Sequence, residues 1–226
     1  MLGGRGTRIS HLYPDLPKAL IPVAGKSFLA WQIEWLFRND IDSVILAAGY
    51  QSGKIQDWVA RQTFKDKTRV VIETEPLGTG GAVKFAVQFL EENSFWVLNG
   101  DSFLPNLNFN AMDESRAETG IQATIAVAPI EDSGRYGTVV FDDTGKIIGF
   151  EEKKSRNAGW VNGGVYLLER RLMDPIASNK PVSLENEVFP ALAATGKLSA
   201  FKCPPPLLDM GTPEGLQNME EYLQSS

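Results

Sequence analysis

Segments with a helical spacing of apolar positions alternate with short, continuously apolar segments along the first hundred residues. The predicted helices are Phe28–Arg38 with Ser27 as its N-cap, residues 55–64, and a helix with Ala82, Ala86, Phe89 and Leu90 on one face. The predicted strands are residues 43–49, 69–73 and 95–98. This alternation predicts βαβ units, in which helices flank a mostly parallel sheet.

The pattern becomes mainly strand-like after about Asp101. The predicted strands of this part are residues 122–128, 137–141, 146–151 and 160–168. Residues 143–145 predict a tight turn between two of them, and Thr212-Pro213-Glu214 has the cap, proline and acid that begin a helix. The sequence therefore predicts an α/β fold with a Rossmann-like, mixed sheet that is mostly parallel and has some antiparallel pairing.

Charge and hydropathy exclude several classes of protein. The 226 residues include 22 Lys and Arg against 28 Asp and Glu, a net charge of −6 that argues against a nucleic-acid partner. The longest apolar run, Val44–Ala48, is too short to span a bilayer, and the N-terminus has no apolar stretch typical of a secretory signal. We therefore expect a cytoplasmic protein without a membrane partner.

Histidine and cysteine are almost absent, with His11 and Cys203 as the single residue of each type. This scarcity excludes an internal disulfide framework and a metal site built from several histidines or cysteines. We expect His11 to lie in a loop and Cys203 to be a small buried side chain. Catalysis must then depend on carboxylates, Lys, Arg, backbone amides or a hard metal ion bound by oxygen.

A glycine-rich loop, Gly3-Gly4-Arg5-Gly6-Thr7-Arg8, stands at the N-terminus. Its glycines let backbone amides approach an anion closely, and Arg8 can grip a phosphate in a fork. The dinucleotide fingerprint fails at Ile9, and no Gly-Lys-Ser/Thr follows that would make a P-loop. A plain terminal tail is the alternative, but Lys18 on a segment stiffened by Pro17 favours a loop that handles a polyphosphate.

Seven motifs follow one another along nearly the whole chain. They are residues 3–8 with Pro17-Lys18, 75–81, 99–101, 136–137, 150–153, 162–166 and 209–214. In type and order they resemble the motifs of the sugar-1-phosphate nucleotidylyltransferases, also called nucleoside-diphosphate-sugar pyrophosphorylases. The resemblance implies the nucleotide-diphospho-sugar transferase type of fold. It also implies a single domain over residues 1–226, with a nucleotide-binding half (about 1–110) and a sugar-phosphate-binding half (about 111–226).

The resemblance implies that a sugar phosphate oxygen attacks the α-phosphorus of a nucleoside triphosphate in line and releases pyrophosphate. Such a reaction needs positioning and charge neutralisation more than a general base, because a phosphate is already ionised. The implied catalytic residues are Arg8, Lys18 and Asp101, with Mg²⁺ as the cofactor held by Asp101 and Asp209. The implied nucleotide contacts are Leu2, Gly3, Gly4, Gly6, Thr7, Glu75, Pro76, Gly78, Thr79, Gly80 and Asp101. The implied sugar-phosphate contacts are Tyr136, Gly137, Glu152, Lys153 and Asn162.

Each of these assignments has a simpler alternative. Lys18 is otherwise a solvated loop lysine, and the glycines of residues 75–81 are otherwise helix caps. Either Asp101 or Asp209 alone is as well explained by a turn or a cap. The charged residues 151–154 are otherwise a solvated run at the end of a strand.

The choice of substrate follows the resemblance in finer detail. Residues 98–103, 135–139, 162–167 and 183–185 look most like the D-glycero-α-D-manno-heptose 1-phosphate guanylyltransferases, which act in GDP-heptose synthesis for surface polysaccharides. GTP and that heptose phosphate are therefore the favoured substrates, although a carboxylate or amide near Gly78 could read several bases. Mannose, glucose or N-acetylmuramate 1-phosphate, a non-catalytic regulatory relative, and a homo-oligomer all stay open.

One feature departs from the family. A hydrophobic strand at the centre of the sheet normally precedes the glycine loop, whereas only Met1 and Leu2 precede Gly3. We expect a truncated central strand to leave neighbouring backbone groups unpaired, at about 1–3 kcal/mol for each group. Apolar residues added before Met1 should then raise the melting temperature and tighten triphosphate binding.

Overall fold

The structure is a computed structural model that describes residues 1–4, 9, 11–117, 120–131, 137–151, 158–178 and 180–225. The strands are β1 (Pro22–Val23), β2 (Lys26–Ser27), β3 (Val44–Ala48), β4 (Thr68–Ile72), β5 (Ser94–Leu98), β6 (Ser102–Phe103), β7 (Ala123–Ile130), β8 (Thr138–Phe141), β9 (Ile147–Glu151), β10 (Gly159–Glu169), β11 (Leu198–Lys202) and β12 (Leu208–Asp209). The α-helices are α1 (Phe28–Arg38), α2 (Ser52–Val59), α3 (Gly78–Ala86), α4 (Phe109–Glu114), α5 (Phe189–Ala194) and α6 (Pro213–Gln224). A π-helix (Leu184–Val188) precedes α5, and short 3₁₀ turns include Lys18–Leu20 and Val87–Phe89. Within these ranges no helix is both long and apolar enough to cross a bilayer.

The chain divides into two compact units. The first unit comprises Met1–Leu77, Asn99–Phe103 and Leu208–Ser226, and the second comprises Gly78–Leu98 and Leu104–Leu207. The nucleotide-binding half (about 1–110) and the sugar-phosphate-binding half (about 111–226) are assigned by the ligand that each would bind. The two compact units are defined by packing, so the two halves stay a prediction.

The first unit is built on parallel pairing of β3 with β4, in the register Val44↔Thr68 to Ala48↔Ile72. Leu2 adds an isolated parallel bridge to Ala48 on β3. In place of a full central strand, the described residues before Gly3 thus contribute this single bridge. The βαβ prediction for this part of the chain is confirmed.

Helix α1 has the bounds that its apolar spacing predicts, because Phe28, Leu29, Ile33 and Leu36 are buried on one side. The same helix buries one polar side chain, Gln32, which is 4% exposed. Its Nε2 donates to the carbonyl oxygens of Asn99 (2.9 Å) and Ser102 (2.8 Å). The segment that carries Asp101 is therefore held at both sides by the core of the first unit.

In the described part of the second unit, a six-stranded sheet has the order β11-β7-β10-β8-β9, with β5 also on β10. Strand β11 is parallel to β7, whereas β10 is antiparallel to β5, β7 and β8, and β8 is antiparallel to β9. The mixed α/β fold is confirmed, and this sheet has more antiparallel pairing than the sequence predicted. The reason is that the long strand β10 is antiparallel to all three strands with which it pairs.

Strand β10 contains an irregularity at Asn162. Asn162 pairs with Val127 and Tyr166 pairs with Ile125, so the β10 side of the ladder holds two more residues than the β7 side over this stretch. Gly163 and Gly164 lie in it, and Gly164 has a φ of +75° that favours glycine. Such bulges redirect side chains, and this one carries a predicted sugar-phosphate residue.

The predicted turns and caps are partly confirmed. Asp142 Oδ1 accepts hydrogen bonds from the amides of Thr144 and Lys146 in the turn between β8 and β9, and Thr212 Oγ1 accepts from Gly215 N (3.1 Å) at the start of α6. Ser27 is the N-cap residue of α1, as predicted, but its hydroxyl makes no capping hydrogen bond and is buried without a partner.

Two predicted helices differ from those of the structure. The helix expected at residues 55–64 is α2, which begins at Ser52 and ends at Val59, because Phe64 packs on Phe37 and Trp58 from a turn. The predicted apolar face that includes Phe89 is also wrong. Helix α3 buries Ala82, Val83 and the glycines before them, whereas Phe89 lies in the following 3₁₀ turn and is 40% exposed.

Candidate active site

The first described residues are packed into the first unit. The amide of Leu2 donates to Ala47 O at 2.7 Å. On the other side, a Cβ on Gly100 would lie 2.5 Å from Leu2 Cδ2 and 2.6 Å from Met1 O, so glycine is required there. The segment that leads into the glycine loop is thus fixed between β3 and the residue that precedes Asp101.

Burial lowers the pKa of the Met1 α-amino group from 8.0 to about 6, although the carboxylates of Asp101 and Glu73 oppose the shift. Above pH 8 the amine is neutral in the folded and unfolded states. Between pH 8 and pH 6 only the unfolded chain is protonated, so the free energy of unfolding falls as the pH falls. For the chain that begins at Met1, we expect a loss of about 2 kcal/mol from pH 8 to pH 6.

Urea titrations of the unmodified and N-acetylated chains at both pH values test this expectation. Acetylation removes the titrating amine, so the pH-dependent difference should shrink by that amount whatever acetylation does to absolute stability. Equal pH dependence in the two chains would contradict it.

Glu73 follows β4 directly and lies beside Gly3. Its Oε2 accepts a hydrogen bond from Leu77 N (3.2 Å), whereas Oε1 is buried without a hydrogen-bond partner. A Cβ on Gly3 would lie 3.4 Å from that same Oε1. Desolvation raises the pKa of this carboxyl, while the Leu77 amide and the Met1 amine act in the opposite direction. A buried acceptor of this kind is suited to donors on a ligand.

Lys18 and Asp101 form an ion pair. Lys18 Nζ lies 2.7 Å from Asp101 Oδ2, and the two side chains are 15% and 38% exposed. The second oxygen, Oδ1, accepts a long hydrogen bond from Ser102 Oγ (3.4 Å). Two residues that were predicted to be catalytic are therefore brought together, with one oxygen of the carboxylate only weakly engaged.

Asp209 is brought to the same short ladder. Strand β12 pairs antiparallel with β6, so Asp209 is opposite Ser102, the neighbour of Asp101, and Met210 N donates to Asp101 O (3.0 Å). Asp209 Oδ1 accepts from Gly211 N at 2.7 Å. A Cβ on Gly215 would lie 1.9 Å from Asp209 O, so only glycine permits this approach of α6. The predicted pair of aspartates thus comes from distant segments to adjoining positions.

The donor set fits a hard divalent ion that also binds phosphate. Among the described residues, no group of three or more His, Cys, Asp or Glu side chains forms a metal site. One or two carboxylates are what Mg²⁺ requires from a protein when phosphate oxygens and water complete its shell.

The second unit holds the predicted nucleotide residues Gly78, Thr79 and Gly80. Gly78 has a φ of +68°, and a Cβ on it would lie 2.5 Å from Val182 O. Gly80 N donates to that same carbonyl oxygen at 2.8 Å. The Thr79 hydroxyl donates to Glu185 Oε2 (2.6 Å) and accepts from Leu184 N (2.8 Å). The loop is therefore anchored to the segment before the π-helix, and the Thr79 side chain is engaged by protein groups.

Asn162 is anchored at both ends of its side-chain amide. Gly164 N donates to Asn162 Oδ1 (2.8 Å), which directs the NH₂ group toward Tyr166, whose hydroxyl it contacts at 3.1 Å. The second hydrogen of this NH₂ group can donate to a substrate oxygen.

Gly137, a predicted sugar-phosphate residue, lies close to β9. A Cβ on Gly137 would lie 3.1 Å from Glu151 O.

The remaining predicted site residues are either exposed or outside the described part of the chain. Glu75 and Pro76 are exposed between β4 and α3. The predicted residues outside the described part of the chain are Gly6, Thr7, Arg8, Tyr136, Glu152 and Lys153. His11 is exposed in a turn and Cys203 is buried, as expected, and burial raises the pKa of the Cys203 thiol to about 11.

Sequence reasoning missed two residues that lie beside predicted site residues: Glu73 beside Gly3 in the first unit, and Glu185 beside Thr79 in the second. Glu73 carried a local signal, since it is a charged residue at the end of a buried strand. Glu185 carried none that identifies its partner, because Thr79 lies 106 positions earlier in the chain.

Comparison with known proteins places these features in context. The family model described as nucleotidyl transferase matches residues 1–226. The chain is 36% identical over 186 residues to D-glycero-alpha-D-manno-heptose 1-phosphate guanylyltransferase of Campylobacter jejuni, which covers 82% of this chain and 81% of that protein. It is 34% identical over 232 residues to the mannose-1-phosphate guanylyltransferase catalytic subunit beta of Xenopus tropicalis, and spans 64% of that protein's length.

A solved structure is also similar. HddC from Yersinia pseudotuberculosis, crystallised with GMP-PN, superposes with a TM-score of 0.87 at 30% identity and covers 98% of this chain and 96% of that one.

Proposed function

The chain belongs to the nucleotidyl transferase family, and we propose that it transfers a guanylyl group from GTP to D-glycero-α-D-manno-heptose 1-phosphate. The coarser activity is transfer of a nucleotidyl group to a sugar 1-phosphate with release of pyrophosphate. The observation that carries the enzymatic proposal is the Lys18–Asp101 ion pair with Asp209 at the adjoining rung. A non-catalytic relative would have no need to hold these charges together.

The proposed chemistry consists of positioning and charge neutralisation. The sugar phosphate oxygen is the nucleophile and pyrophosphate is the leaving group, so no side chain has to remove a proton. Lys18 is held by Asp101 Oδ2, and its ammonium stabilises the charge that develops on the phosphates. Backbone amides of the glycine loop bind the triphosphate, as the family resemblance implies.

Asp101 and Asp209 would hold the divalent ion, for which we propose Mg²⁺. When bound, this ion neutralises charge on the phosphates and favours their alignment for displacement.

Glu73 supports the choice of guanine. Guanine presents an N1–H and an amino group side by side on its pairing edge, and both can donate to one carboxylate. Adenine, cytosine and uracil place an acceptor next to their donor on this edge. The buried Oε1 of Glu73 beside Gly3 offers an acceptor without a donor of its own. The guanine nucleotide in the Yersinia HddC crystal is consistent with this assignment.

The Glu73→Gln variant tests this reading. Glutamine replaces one acceptor oxygen by a donor, so we expect kcat/KM for GTP to fall by about 10- to 100-fold, as for a lost hydrogen bond to a charged group. With ATP, kcat/KM should change much less. The measurement is pyrophosphate release with each triphosphate, and Glu34→Gln is the control, because Glu34 pairs with Lys26 and has no assigned substrate contact. An equal loss with both triphosphates would remove Glu73 from base recognition.

The sugar is tested by a panel. Turnover is measured with four triphosphates against the 1-phosphates of D-glycero-α-D-manno-heptose, mannose, glucose and N-acetylmuramate. We expect the highest kcat/KM with GTP and the heptose phosphate. Mannose 1-phosphate is the second candidate, because the Xenopus relative carries that activity in its name. Equal or greater efficiency with mannose 1-phosphate would overturn the heptose assignment, and no turnover with any pair would overturn the enzymatic proposal.

A further inference from the structure

A line of hydrogen bonds in the second unit runs from Thr79 at the start of α3 to Asn162 on the bulge of β10. Its central residue is Glu185. Thr79 Oγ1 donates to Glu185 Oε2 (2.6 Å), and Tyr166 Oη donates to Glu185 Oε1 (3.3 Å). Asn162 Nδ2 in turn donates to Tyr166 Oη (3.1 Å). One carboxylate therefore joins a predicted nucleotide residue to a predicted sugar-phosphate residue.

The direction of every bond in this line is fixed by its neighbours. The Leu184 amide donates to Thr79 Oγ1 at 2.8 Å, so the Thr79 hydrogen is directed to Glu185. The Gly164 amide donates to Asn162 Oδ1 at 2.8 Å, so the Asn162 NH₂ group faces Tyr166 and the Tyr166 hydrogen is directed to Glu185. The line thus has two branches, one through Thr79 and one through Tyr166 and Asn162. Both end on the carboxylate of Glu185, which accepts and has no hydrogen to donate when it is ionised.

The surroundings of Glu185 hold its carboxylate in place. It lies on the π-helix Leu184–Val188, a rare form that is frequent at functional sites. Ser183 Oγ donates to Glu185 Oε2 (3.1 Å) and also accepts from Asn186 N (3.1 Å) as the cap of this turn. Tyr166 is completely buried, with its ring 4.9 Å from that of Phe189. Neither side chain can swing away without leaving polar atoms unpaired.

We propose that Glu185 is a positioning residue that sets the Gly78–Gly80 loop and the Asn162 amide for their substrates together. The inference rests on the proposed function, in which the loop binds the nucleotide and Asn162 binds the sugar phosphate. Glu185 acts through Thr79 on one side and through Tyr166 on the other, and itself contacts no substrate.

The Tyr166→Phe variant breaks only the sugar-phosphate branch. It removes the acceptor for Asn162 Nδ2, so the amide is free to rotate out of its arrangement. We expect KM for the sugar 1-phosphate to rise by about tenfold, as for one lost hydrogen bond, while KM for GTP changes less than twofold.

The Glu185→Ala variant breaks both branches. It removes the acceptor of the Thr79 hydroxyl and the acceptor of the Tyr166 hydroxyl at once. We expect KM to rise by about tenfold for both substrates. The double variant Tyr166→Phe/Glu185→Ala should be no worse than Glu185→Ala alone, since both changes act on one line of contacts.

Thr124→Val is the matched control. It removes the hydrogen bond between Thr124 Oγ1 and Ser199 Oγ (2.8 Å) in the same sheet, so it lowers the melting temperature, but Thr124 makes no contact in the Thr79–Glu185–Tyr166–Asn162 line. Both of its KM values should stay within twofold of the wild type. This control separates a loss of stability from a loss of positioning.

The experiment measures KM for each substrate and the melting temperature for these variants beside the wild type. A lower melting temperature with both KM values unchanged in Tyr166→Phe and Glu185→Ala would overturn the positioning role alone. If Glu185→Ala does not fold, the separation of the two KM values in Tyr166→Phe decides the question. Absence of turnover in the wild type would overturn the proposed function and this inference with it.

Discussion

Replacing Asp101 or Asp209 by asparagine should lower the rate of nucleotidyl transfer by about 10²- to 10³-fold while the chain still folds. The two residues come from segments far apart in the chain, and the β6–β12 ladder places Asp209 opposite the neighbour of Asp101. Asparagine keeps the size and one acceptor oxygen but removes the charge that a divalent ion needs. The Mg²⁺ concentration for half-maximal turnover should rise in both variants.

The double variant of Asp101 and Asp209 should be only slightly slower than either single variant, because residues that act as a unit are not additive. Glu34→Gln is the control, since Glu34 also forms an ion pair in the first unit, with Lys26. Pyrophosphate release, Mg²⁺ titration and thermal melting are measured on all four variants. Turnover near that of the wild type in Asp209→Asn would exclude Asp209 from the metal site.

Replacing Lys18 by methionine should lower kcat by about 10²- to 10³-fold, as for the loss of a preorganised group that stabilises developing charge. The Lys18 side chain is only 15% exposed, and methionine retains much of its apolar stem. The lost group is the ammonium that Asp101 holds at 2.7 Å. KM for the sugar 1-phosphate should change little, because this charge is assigned to the transferring phosphates.

Lys26→Met is the matched control for Lys18→Met. Lys26 also pairs with a carboxylate in the first unit and packs over the Trp31 ring at 3.8 Å, but it has no assigned substrate contact. Its kcat should equal that of the wild type. Unchanged kcat in Lys18→Met would return Lys18 to the interpretation as a solvated loop lysine.

Local features of the fold were largely predictable from the sequence. The Thr212 cap, the turn at residues 143–145 and the bounds of α1 depend on residues within a few positions of one another. At Ser27 the local rule gave the correct N-cap position but not the capping hydrogen bond, because the hydroxyl is buried without a partner. It failed at Phe89, because a 3₁₀ turn ends the helical period before that residue.

The candidate site was predictable as a set of motifs but not as a set of contacts. Lys18 and Asp101 are 83 positions apart, and no local spacing indicates that they form an ion pair. The long-range glycine contacts are similar: Gly100 admits Met1 and Leu2, and Gly215 admits the carbonyl of Asp209. A glycine in the sequence indicates that another part of the chain comes close to its backbone. Only the folded structure shows which residue that is.

The central claim is that the α-phosphate of a nucleoside triphosphate becomes bonded to a sugar 1-phosphate. The most direct test incubates the chain with Mg²⁺, D-glycero-α-D-manno-heptose 1-phosphate and GTP labelled with ³²P at the α-position. The account predicts that the label appears in a phosphatase-resistant GDP-sugar, in equal amount to the pyrophosphate released, and only when the sugar phosphate is present. Label recovered only as GMP or GDP, at a rate independent of the sugar phosphate, would contradict it.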